Sequence, residues 1–122
     1  GLEGAPLVGV GYYRFFISGG DGLMEVGAFI VALEFAAGIN ASIVGKPSAD
    51  FFHQVLASTS ACEENALMVG DDVFGDVEGS LNAGLSACLV RTGKYRPGDE
   101  GKIKGGFALV DSVSEAVELA LA

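Results

Sequence analysis

Ala66-Leu67-Met68-Val69-Gly70-Asp71-Asp72-Val73-Phe74-Gly75-Asp76-Val77 changes its periodicity halfway along. Residues 66–69 are a short apolar run that reads as a buried strand, and Gly70-Asp71-Asp72 ends it. Val73, Val77 and Leu81 then recur at helical spacing, and Gly84 suits the point where that helix stops. Residues 86–90 form a second uninterrupted apolar run. Strand, helix, strand in so short a unit predicts an α/β fold with a mainly parallel sheet. Continuous rather than alternating apolar strands suit a sheet covered on both faces.

The same alternation extends outward. Downstream, residues 93–106 read as a long loop rich in Gly, Lys and Asp, and residues 107–110 as a last strand. Ser112-Val113-Ser114-Glu115 fits a capping box. The helix it opens should turn Val113, Val117, Ala120 and Leu121 inward. Upstream, Pro47 and Ser48 open a helix with Phe52, Val55 and Leu56 on one face. Residues 42–44 are a short strand. Residues 28–37 form a helix that pairs Phe29 with Leu33 and Val31 with Phe35; it is apolar nearly all round and expected to be buried, with Gly38 just past its end. Residues 6–10 and 12–17 read as extended, with Tyr12-Tyr13 and Phe15-Phe16 as sheet packing. Gly19-Gly20-Asp21-Gly22 reads as a turn. The glycine-rich turns near Gly20 and Gly38 are candidate boundaries, dividing a leading piece, 1–38, from a core, 39–122.

At 122 residues and 50% hydrophobic, the chain has enough apolar surface for one compact domain and is not a disordered segment. A net charge of −9 argues against nucleic acid and against an anionic membrane surface. No apolar run approaches bilayer-spanning length. Cys62 and Cys88 lack a C-x-x-C spacing and read as two buried thiols in a reducing, cytoplasmic setting. That His53 is the single histidine and that there is no cysteine cluster argue against a zinc site. His53 itself reads as a packed or helix-surface residue.

Ligands of open parallel sheets bind beyond the carboxyl ends of the strands. Gly45, Lys46 and Pro47 follow one predicted strand; Gly70, Asp71, Asp72 and then Asp76 follow another. These carboxylates could hold a hard divalent cation or cap the following helix. Lys46 could neutralise a phosphate or be an ordinary solvated lysine. Gly45-Lys46-Pro47-Ser48 is not a P-loop, because position 40 is Asn and proline follows the lysine. Arg91, Thr92, Lys94 and Arg96 make a small basic loop, either solvated or in contact with an anionic substrate or a neighbouring subunit.

Three groups of residues then carry a resemblance. Val44-Gly45-Lys46-Pro47-Ser48 with Phe51-Phe52 is the first. Met68-Val69-Gly70-Asp71-Asp72 with Gly75-Asp76-Val77 and Gly79 is the second. Val90-Arg91-Thr92-Gly93-Lys94 with Arg96-Pro97 and Asp99-Glu100 is the third. Together they resemble the haloacid dehalogenase (HAD) superfamily, in the subclass with a large α/β cap inserted in the core. Gly11-Tyr12-Tyr13, Gly22-Leu23 and Ala32-Leu33-Glu34-Phe35 extend the likeness over essentially the whole chain.

The resemblance implies a Mg2+-dependent phosphohydrolase acting on a small phosphorylated substrate or pyrophosphate. Lys46 matches the lysine that steadies nucleophile and phosphate charge, with Gly45 beside it at the substrate. Asp71 matches a metal ligand, and Asp72 and Asp76 would support these two by hydrogen bonding. The family nucleophile lies in an Asp-x-Asp signature, and no Asp-x-Asp occurs in this chain. The expectation is therefore the C-terminal part of a longer phosphatase, inactive or nearly so alone. Residues 1–38 would come from the end of the cap and the return to the core, and 39–122 would be the C-terminal part of a partial Rossmann-like HAD core. In the family fold the nucleophile strand lies beside the strand ending at Asp71. Without it residues 66–69 present an unpaired apolar edge, which predicts a homo-oligomer through that edge. The alternative is a non-catalytic α/β module that binds a divalent ion or a partner protein.

Overall fold

A computed structural model of the chain describes residues 8–9, 15–18, 21–24 and 26–122. The N-terminal portion contains β1 (Val8–Gly9), β2 (Phe15–Ser18), β3 (Asp21–Met24) and α1 (Val26–Ala37). β2 and β3 pair antiparallel, with Phe15 opposite Met24. Asp21 and Gly22, expected in a turn, already belong to β3. The expected sheet packing of Tyr12 and Tyr13 lies outside the described residues, as do Gly19 and Gly20 of the expected turn.

α1 is followed by Gly38 at φ 68, whose N–H donates to the Glu34 carbonyl at 2.9 Å. This is the left-handed ending that glycine provides at no steric cost. The expectation that α1 is buried is corrected: Gly27 and Ile30 are buried, whereas Phe29, Val31, Leu33 and Phe35 are exposed, Phe35 to 91%. An all-round apolar sequence reports affinity for a cover, and no described element covers that side.

β4 (Ser42–Ile43) pairs parallel with β1. α2 (Ala49–Ala57) buries Phe52 and Leu56 but leaves Val55 exposed. β5 (Leu67–Gly70), β6 (Ser86–Val90) and β7 (Ala108–Val110) form a parallel sheet in that order. The crossover between β5 and β6 begins as a π-helical turn, Val73–Glu78, and continues as α3 (Gly79–Asn82). Gly84 at φ 94 ends it. α4 (Val113–Leu121) closes the chain.

β6 explains why the run over residues 86–90 is unbroken. Successive strand residues point to opposite faces. Ala87 and Leu89 pack with Val73, Val77 and Ile103 on one face, while Cys88 and Val90 meet Ala116 of α4 on the other. Leu89 and Val77 are fully buried, each contributing roughly 1.5–3 kcal/mol by exclusion from water. Burial also pushes the Cys88 thiol above its usual range. Cys62, expected to be buried, is exposed beside the short turn Glu63–Asn65.

The inward face predicted for α4 is also corrected. Ala116 is its buried residue, and Val113, Val117 and Leu121 are exposed. The helix rests on its smallest side chain, which lets its backbone approach β6 closely. Its cap holds: the Glu115 N–H donates to Ser112 Oγ at 3.3 Å. Glu115 reaches back one residue further than the box requires, accepting from the Asp111 N–H at 2.8 Å.

Among the described residues β5 pairs only with β6, so its other flank has no strand partner. An apolar cavity of about 290 Å³ lies between α2 and β5, lined by Phe51, Val55, Leu67, Met68 and Leu85, with Lys46 at its margin. No described helix is long and apolar enough to cross a membrane.

Candidate functional site

The site begins where β4 and β5 end. After β4 the chain turns at Gly45, whose φ of 94 suits a residue without a side chain. The Ser48 N–H closes this turn on the Gly45 carbonyl at 2.9 Å, and the Lys46–Pro47 peptide is cis. Lys46 is thereby carried to the loop after β5, where its Nζ makes a short ion pair with Asp76 Oδ1.

Asp76 reaches that position because the crossover helix opens wide. The N–H groups of Asp76 and Val77 both donate to the Asp72 carbonyl, at 2.9 and 3.2 Å, and the second bond spans five residues. Such π turns are rare and recur at functional sites. Asp76 is 4% exposed, and its Oδ2 accepts from the Asp72 N–H at 3.2 Å. Both of its oxygens are therefore engaged. A buried carboxylate needs such partners.

Asp72 is engaged as fully. Oδ1 accepts from the N–H groups of Phe74 and Gly75, each at 3.1 Å, and caps the helical turn. Oδ2 pairs with Lys94 Nζ at 3.1 Å. Of the two sequence readings for Asp72, the structure supports the cap.

Asp71 differs from both. Its Oδ2 accepts from the Lys94 N–H at 2.7 Å, while Oδ1 has no hydrogen bond among the described residues. Lys46 and Asp71 thus stand on neighbouring loops, linked through the Asp76 carboxylate and the Asp72 amide. Among the described residues no group of three His, Cys, Asp or Glu side chains gathers so as to hold an ion by itself. A single hard carboxylate oxygen is nevertheless what Mg2+ takes when waters and a substrate phosphate complete its shell. Asp71 Oδ1 fits that requirement.

The basic loop after β6 is not simply solvated. Arg91 pairs with Asp111 at 2.6 Å, and the Tyr95 hydroxyl donates to Glu100 at 2.6 Å. That bond raises the Tyr95 phenol and lowers the Glu100 carboxyl relative to their ordinary ranges. Asp99 is buried. Burial alone would raise its carboxyl, but the Lys102 ammonium at 2.7 Å and the Arg96 N–H at 2.9 Å hold it below the ordinary value. Lys94 joins both acids that follow β5. Its position in a Gly-Lys pair at a strand end was the available signal, masked by the surrounding run of basic residues. His53 lies apart from this cluster, its Nε2 3.0 Å from the Ala83 carbonyl and 3.9 Å from Glu63.

Residues 43–116 match the sequence model of the HAD-hydrolase-like family. The chain is 41% identical over 121 residues to the phospholysine phosphohistidine inorganic pyrophosphate phosphatase of Rattus norvegicus, covering 98% of this chain and 45% of that protein. It is 45% identical to a haloacid dehalogenase-like hydrolase domain-containing protein of Bos taurus, covering 96% of this chain and 46% of that protein. The chain thus spans about half the length of the curated relatives it matches. Among solved structures, a 4-nitrophenylphosphatase from Thermotoga maritima superposes with a TM-score of 0.79 at 25% identity, over 98% of this chain and 46% of that one.

Proposed function

Because the chain belongs to the HAD-like hydrolase family, we propose that it is the C-terminal part of a magnesium-dependent phosphatase that hydrolyses a small phosphorylated substrate or pyrophosphate. The observation that carries this reading is the hydrogen-bonded cluster of Lys46, Asp71, Asp72 and Asp76, into which Lys94 ties Asp71, beyond the carboxyl ends of β4 and β5. Phosphoryl transfer depends mostly on positioning and charge neutralisation.

In this proposal Lys46 holds a phosphoryl oxygen, with Gly45 leaving room for the substrate beside it. Asp76 orients the Lys46 ammonium, and Asp72 fixes the turn that presents Asp76. Asp71 would hold magnesium, which supplies further positive charge to the reacting phosphoryl group. The relative from rat, by its name, acts on phospholysine, phosphohistidine and inorganic pyrophosphate, and a glycerol phosphate phosphatase of Mycobacterium tuberculosis, 30% identical to this chain, was solved in complex with magnesium.

The chain contains no Asp-x-Asp, so the proposed activity belongs to a longer protein and the chain alone is inactive or nearly so. Residues 1–38 are assigned to the end of a cap segment and 39–122 to the core. The flank of β5 that has no strand partner among the described residues, with Val55 and Leu67 exposed beside it, supports a homo-oligomer formed through that edge. Sedimentation velocity should show concentration-dependent association.

The test is p-nitrophenyl phosphate turnover with Mg2+, for this chain and for a chain extended to include an Asp-x-Asp segment. Turnover in the extended chain only, lost on Lys46→Ala or Asp71→Ala, is the expected result. A folded extended chain without activity would overturn the proposal. The absence of the nucleophile also favours a second reading for this polypeptide, a non-catalytic module that binds a divalent ion or a partner protein. It predicts calorimetric Mg2+ and phosphate binding that Asp71→Ala removes, with no turnover in either chain.

A further inference from the structure

We propose that Gly93 and the backbone of Lys94 form a positioning clamp on Asp71, committing Oδ2 to the protein and reserving Oδ1 for a divalent cation. The inference rests on the phosphatase reading and deepens it.

Four observations converge on this. The Lys94 N–H donates to Asp71 Oδ2 at 2.7 Å, across 23 residues of sequence, in the short range of charge-assisted bonds. The residue before it has no side chain, and a Cβ there would lie 2.0 Å from the same oxygen. Gly93 is also at φ 55, which aims the following N–H along a path that other residues rarely adopt. Finally, Lys94 Nζ pairs with Asp72 Oδ2 at 3.1 Å, with the lysine side chain only 19% exposed. The loop is therefore fastened to both acids at once, by amide to Asp71 and by ammonium to Asp72.

The consequence for Asp71 is selective. A free carboxylate can rotate and offer either oxygen or both. Here one oxygen is occupied by a backbone donor that cannot swing away without moving the β6 loop. Partners that orient a metal ligand typically affect metal affinity about 10–100-fold. Lys94 is thus a positioning residue through its amide, with its side chain pinning the loop.

The full chain tests this by two measurements. In the metal-free chain, the NMR signal of the Lys94 amide proton should lie downfield, and Asp71→Ala should move it upfield. An amide unaffected by Asp71→Ala would overturn the clamp, and this readout requires neither metal nor activity. Calorimetry with Mg2+ alone should then show affinity about tenfold or more lower in Gly93→Ala, whose methyl enters the carboxylate's space, with Lys94→Arg close to wild type. If Gly93→Ala is poorly folded by circular dichroism, Lys94→Ala, which keeps the amide but frees the loop from Asp72, should still lower affinity. Wild-type affinity in both variants would overturn the clamp while leaving the phosphatase reading intact. Mg2+ binding indifferent to Asp71→Ala would overturn the phosphatase reading and the clamp with it.

Discussion

Gly70 and Asp76 occupy complementary space: a Cβ on Gly70 would lie 2.2 Å from Asp76 Oδ2. The glycine that ends β5 is thus the seat of the buried carboxylate six residues later. Gly70→Ala should expel Asp76 from its contacts with Lys46 and the Asp72 amide. Forcing a methyl into filled space costs about 1–3 kcal/mol. Urea unfolding should show that loss, and an unchanged midpoint would contradict the packing described.

Asp72 should behave as a cap with a second bond. Asp72→Ala removes the acceptor for the Phe74 and Gly75 amides, costing about 0.5–2 kcal/mol. Asp72→Asn keeps that acceptor and should recover most of the loss in thermal unfolding. Equal losses in both variants would instead assign the effect to the Lys94 pair.

Asp99 gives a pH dependence with a definite sign. Its folded carboxyl titrates below the ordinary value of 3.8, so it stabilises the fold fully above that value. The contribution fades as pH falls through the depressed folded value. The stability gap between wild type and Asp99→Asn should be widest near neutral pH and close on acidification. A gap that widens in acid would invert the assignment. Urea midpoints across the acid range measure it.

The two faces of α4 should respond differently. Val90→Ala, under the helix, should cost about 1.5–3 kcal/mol. Leu121→Ala, on the exposed side, should stay within about 0.5 kcal/mol. Chemical denaturation of both variants checks this, and a large cost at Leu121 would indicate a cover over the outer face.

Much of the architecture was legible because it is written locally. The uninterrupted run over residues 86–90 announced a strand covered on both faces, and Ala87 with Leu89 and Cys88 with Val90 supply those faces. Gly38 and Gly84 marked helix ends where they occur. The orientation of α4 and the exposure of α1 were not legible, since periodicity reveals an apolar stripe but not whether anything lies against it. Asp76 could be suspected from its distance to Asp71, yet its burial depends on a π turn that no short-range pattern specifies. Lys94 was hidden among Arg91 and Arg96, because a basic run looks alike whether it faces water or a carboxylate 23 residues earlier.

The ties of the candidate site join distant parts of the chain: Lys46 to Asp76 across 30 residues, and Asp71 to Lys94 across 23. The first cannot close before the turn after β4 meets the crossover, nor the second before β5 and β6 lie side by side. The polar constellation therefore forms only once the elements beneath it are in place. Native-state hydrogen exchange should find it opening well below the free energy that melts the sheet beneath it.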